Sequence, residues 1–110
     1  MPIKEINQIK KIVAQLLQQI LSGEVKFIGS DEFPYGCCGN ASQDYLQPRL
    51  KKAGFTTVYV NGWCEKYKSH GWLEYKGYII DITAYQFSEI TESILIVKKE
   101  ESEFHKQFLK

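Results

Sequence analysis

The chain has 110 residues, 44% hydrophobic and 25% charged, with a net charge of +1. That is the make-up of one ordinary globular domain, 1–110, large enough to bury a core. The near-zero charge argues against a nucleic-acid binder, and no apolar run approaches the roughly 20 residues a membrane span needs, so neither nucleic acid nor membrane is expected as a partner.

Residues 3–22 read as an amphipathic helix, with Ile3, Ile6, Ile9, Val13, Leu16, Leu17 and Ile20 on one side and Ser22-Gly23 as the stop. Val25–Ile28 is a short strand or an irregular entry, and Gly29 to Gly39 is a loop broken by Asp31, Pro34, Gly36 and Gly39. A second helix starts near Cys38 or Gly39 and runs to Lys52, where Pro48 should kink or split it and Ala53-Gly54 ends it. Thr56–Val60 is β-branched and aromatic, and Asn61-Gly62 is expected to break it. Ser69–Tyr75 and Tyr78–Thr83 form the clearest hairpin, joined by Lys76-Gly77. Ile94–Val97 is a further candidate strand. The charged run Lys98–Glu103 reads as solvated surface, and Phe104, Phe108 and Leu109 allow a short final helix. The order of elements predicts an α+β domain.

The three cysteines are Cys37, Cys38 and Cys64. An odd number with two adjacent makes a disulfide framework a poor reading and a reactive thiol a better one. No C-x-x-C pair exists, and His70 and His105 are far apart in sequence, so no metal or cofactor is expected. Cys38 opens a helix, where unpaired N–H groups and the helix dipole favour thiolate over thiol. With a two-residue turn at Lys76-Gly77, Tyr75 pairs with Tyr78 and Trp72 with Asp81. His70 and Asp81 are then diagonal neighbours on one sheet face. The aspartate can hold one imidazole nitrogen and leave the other for a thiol.

Gly36-Cys37-Cys38-Gly39-Asn40-Ala41-Ser42, Ser69-His70-Gly71-Trp72-Leu73-Glu74 and Ile80-Asp81-Ile82-Thr83-Ala84-Tyr85-Gln86-Phe87 resemble the papain-like and transglutaminase-like bacterial cysteine domains. That group includes small proteins and the catalytic modules of some polymorphic toxins and effectors. The resemblance covers residues 33–87, half the chain. It implies a papain-like or transglutaminase-like core with N-terminal helices on an antiparallel sheet. It also implies Cys38 as nucleophile, with Cys37 the alternative, His70 as base and Asp81 as orienter. Backbone N–H groups, Asn40 or Gln86 would hold the oxyanion. The group's alanine after the histidine is here Gly71, a small change expected to be tolerated.

The activity implied is thiol-dependent acyl transfer on a protein or peptide amide, as protease, amidase or protein-glutamine deamidase, or as transglutaminase if an amine accepts the acyl group. A catalytically inactive binding or interaction module is the other reading. The expected location is cytoplasmic, since the opening Met1–Ile6 has no apolar signal-peptide core. For a toxin domain it would be the cytoplasm of a target cell, with an immunity protein as a further partner.

Overall fold

Five apolar side chains at helical spacing, Ile9, Val13, Leu16, Leu17 and Ile20, form the buried stripe of helix α1, Ile3–Leu21. The computed structural model of the protein describes residues 2–25, 40–87 and 90–109. The second helical segment is described from Asn40 on, as a π-helical stretch, Asn40–Leu46, that tightens into α2, Gln47–Lys52. The change comes beside Pro48, which has no N–H to give the preceding turn and whose ring crowds the carbonyl four residues back. The expected kink therefore takes the form of a widened turn. At the far end Phe55 N–H donates to Leu50 O and Gly54 N–H to Lys51 O, with Gly54 at φ 97°. This left-handed glycine closure ends the helix.

The four strands are β1, Val58–Cys64; β2, Lys68–Tyr75; β3, Tyr78–Asp81; and β4, Leu95–Lys98. They form one antiparallel sheet in the order β1-β2-β3-β4. The protein is thus α+β, with helices followed by an antiparallel sheet. Lys76 and Gly77 both have positive φ, 46° and 79°, and Tyr75 pairs with Tyr78. That is the two-residue turn whose twist suits a hairpin. Asn61-Gly62 does not break β1, contrary to expectation. Gly62 pairs with His70 inside the strand, and a Cβ there would stand 2.7 Å from Phe108 Cβ. The glycine makes room for a crossing chain rather than a turn.

Period-2 alternation divides the core between the two faces of the sheet. Leu73 and Ile80 pack with Ile82, the α1 stripe, Ala41, Leu46, Leu50 and Phe55. On the other face Trp72 and Ile79 pack with Phe104 and Phe108 of the C-terminal segment. That segment contains the short helix α3, Glu103–Lys106, and ends in mutual N–H to O bonds of 3.0 and 2.9 Å between Trp63 and Leu109. Among the described residues no helix is long and apolar enough to cross a membrane.

Candidate functional site

Asp81 is the last residue of β3, and its side chain ends the strand. Thr83 N–H donates to Asp81 Oδ1 at 3.0 Å, with Thr83 Oγ1 at 3.5 Å from the same oxygen. This local turn replaces the next ladder bond. It also leaves Oδ2 aimed along the sheet face that carries His70 and Trp72.

His70 Nε2 lies 2.6 Å from Asp81 Oδ2, with both side chains fully buried. The diagonal pairing expected from the hairpin is present. The turn after β3, Ala84–Gln86, brings Gln86 Nε2 to 3.5 Å from His70 Nδ1, long for a hydrogen bond. Phe87 stands edge-on to the imidazole, with ring centroids 5.0 Å apart, and Trp72 and Phe108 lie at 5.7 Å.

A third residue joins from α3. His105 Nε2 is 2.8 Å from the same Asp81 Oδ2, and Ser102 Oγ is 2.5 Å from His105 Nδ1. Ser102 is also the N-cap of α3, its hydroxyl oxygen accepting the His105 N–H at 3.4 Å. The run read as solvated surface, Lys98–Glu103, is exposed except at Ser102, which is buried and orients His105. Distance in sequence was no guide to distance in space for His105. One local signal was present: Ser102 and His105 stand at the N-cap and N3 positions of a capping box, with histidine where glutamate or glutamine usually stands.

Burial opposes the charge on Asp81, but His70 and His105 more than offset it. Together they hold the carboxyl down from its ordinary 3.8 to about 2. The aspartate is therefore ionised near neutrality, and both imidazoles present Nε2–H to it. His70, Asp81 and His105 each offer an atom to one cluster, all within 4.8 Å. The separations of 2.6 and 2.8 Å from Oδ2 are those of direct hydrogen bonds. The cluster as it stands is a hydrogen-bonded His–Asp–His group.

Cys38 and the alternative Cys37 lie outside the described residues. The helical segment that follows them covers the Leu73 face of the sheet, whereas His70 and Asp81 are on the other. Cys64 is described. It ends β1 opposite Lys68, its sulfur accepts the Tyr67 N–H at 3.4 Å, and it is not a member of the His–Asp–His cluster. Of the oxyanion candidates Gln86 lies beside His70, and the Asn40 side chain lies outside the described residues.

Gly71 has a packing role. A Cβ at 71 would stand 2.1 Å from Tyr59 Oη, so Tyr59 occupies the space an alanine would need. Glycine in place of the group's usual alanine therefore fits this sheet, because Tyr59 fills the space an alanine methyl would need.

Comparison with family models, with curated proteins and with solved structures finds no match to this chain.

Proposed function

We propose that this protein is a thiol-dependent acyl-transfer enzyme with a papain-like or transglutaminase-like core, acting on a protein or peptide amide. Its triad would be Cys38, His70 and Asp81. The observation that carries the reading is the 2.6 Å contact between His70 Nε2 and an ionised, fully buried Asp81. A carboxylate in that place sets one tautomer of the ring, with the proton on Nε2 and the lone pair on Nδ1. In the proposed reaction Nδ1 takes the thiol proton, and the thiolate attacks the amide carbonyl. The imidazolium returns its proton to the leaving amine, and water or an amine releases the acyl group.

Complete burial of His70 and Asp81 favours a second reading, in which the cluster is a structural tie in a binding or interaction module. One experiment separates the two. Iodoacetamide alkylation of the whole chain is followed by mass spectrometry in the parent, Cys37→Ser and Cys38→Ser. The enzyme reading expects Cys38 to react at neutral pH well ahead of a free thiol of pKa about 8.5. It also expects Cys37→Ser to keep that reactivity and Cys38→Ser to abolish it. Fast alkylation of Cys37 instead would move the nucleophile there. Free-thiol behaviour at both would leave the structural reading.

A further inference from the structure

The hydrogen bonds around His105 fix its orientation. Ser102 Oγ accepts the backbone N–H of His105 and shares a hydrogen bond with His105 Nδ1, 2.5 Å away. On the other side of the ring Nε2 donates to the ionised Asp81. Asp81 Oδ2 accepts from two imidazoles, and Oδ1 is committed to Thr83. With His105 in place, the carboxylate has no second orientation that keeps all its donors.

An apolar ring would serve better if His105 merely filled its seat. It stands edge-on to Trp72 and Phe104, with centroids 4.7 and 5.0 Å away, in a position only 3% exposed. Burying an imidazole there is costly unless both nitrogens are bonded. Both are, and one of those bonds goes to the oxygen that holds His70.

We propose that His105, oriented by Ser102, is a positioning residue for the His70–Asp81 pair. It pins the Asp81 carboxylate so that Oδ2 holds His70 with its proton on Nε2. The C-terminal helix is thereby part of the site, reaching it without touching the reacting atoms. This rests on the reading of His70 as the base, and the test below keeps the two separable.

The primary measurement is the ring 15N spectrum of His70 at neutral pH, which reports the tautomer directly. It is taken for the parent, His105→Phe and His105→Gln, with thermal melts alongside. Phenylalanine keeps the ring and removes the donor, while glutamine places an amide N–H close to the position of Nε2. The parent should show His70 protonated on Nε2. His105→Phe should show a mixture of tautomers and a His70 N–H proton that exchanges with water at least several-fold faster. His105→Gln should restore the parent pattern. An unchanged His70 spectrum in His105→Phe overturns the proposal, whatever its melting temperature does. Failure of glutamine to restore the pattern overturns it as well.

If His105→Phe does not fold, Ser102→Ala replaces it, keeping the ring and removing the hydroxyl on Nδ1. The same faster exchange at His70 is expected, and its absence is the overturning result. Cys38 alkylation forms a second arm. A misplaced base should lower the rate about tenfold in His105→Phe, with His105→Gln close to the parent. Free-thiol reactivity in the parent would remove the proposed function, and the 15N comparison would still decide the role of His105.

Discussion

Replacing Gly71 by alanine adds one methyl group, and the structure sets what that methyl meets. Its carbon would lie 2.1 Å from Oη, 2.6 Å from Cζ and 2.8 Å from Cε1 of Tyr59, on the neighbouring strand. Ordinary contact needs about 3.5 Å, so the phenol end must withdraw by more than about 1 Å. Tyr59 packs against the buried core, and its hydroxyl accepts from Asn61 Nδ2 at 3.3 Å. Overpacking of this kind costs about 1–3 kcal/mol. Alanine in place of glycine within a strand returns roughly 0.5–1 kcal/mol. The net expectation is a loss of about 1–2 kcal/mol. In a Tyr59→Ala background the obstruction is gone, and Gly71→Ala should be neutral or mildly stabilising. Urea unfolding of the parent, both single variants and the double variant therefore should give a coupling energy of about 2 kcal/mol, well beyond the additivity expected of independent sites. Equal effects of Gly71→Ala in the two backgrounds would refute the account of Tyr59 as the occupant.

Asp81→Asn puts an amide where two imidazole N–H donors converge, so it should cost about 3–5 kcal/mol in urea unfolding at pH 7, as breaking a buried charged pair does; a loss under 1 kcal/mol would show that the carboxylate is not the shared acceptor. The same group predicts an acid limb. Its pKa is lowered on folding from 3.8 to about 2, so its contribution is full above 3.8 and is lost as pH falls through about 2. The Asp81 carboxyl 13C resonance should titrate with a midpoint near 2, and a midpoint near 4 would contradict the two-histidine environment. Gly62→Ala should push the C-terminal segment off the sheet, since its Cβ would stand 2.7 Å from Phe108 Cβ and 3.3 Å from Leu109 O. Faster amide exchange at Leu109 should follow, and protection equal to the parent's would count against the close crossing.

What the sequence by itself determined was set by neighbours along the chain. The α1 stripe follows from a period near 3.6, and the hairpin follows from Lys76-Gly77 between two β-rich runs. Once Tyr75 faces Tyr78, alternation of side chains makes His70 and Asp81 diagonal neighbours, because each strand residue points opposite to the last. The His70–Asp81 half of the site was legible for that reason. The tertiary structure alone decided the rest. His105 is 24 residues from Asp81 in the chain and comes from another element, so no local pattern could pair them. The roles of Gly62 and Gly71 were hidden likewise, since a glycine shows a missing side chain without showing whether Phe108 or Tyr59 fills the gap. Local geometry is carried by covalent spacing, whereas the identity of what packs across a face is settled only when distant segments compete for the same space.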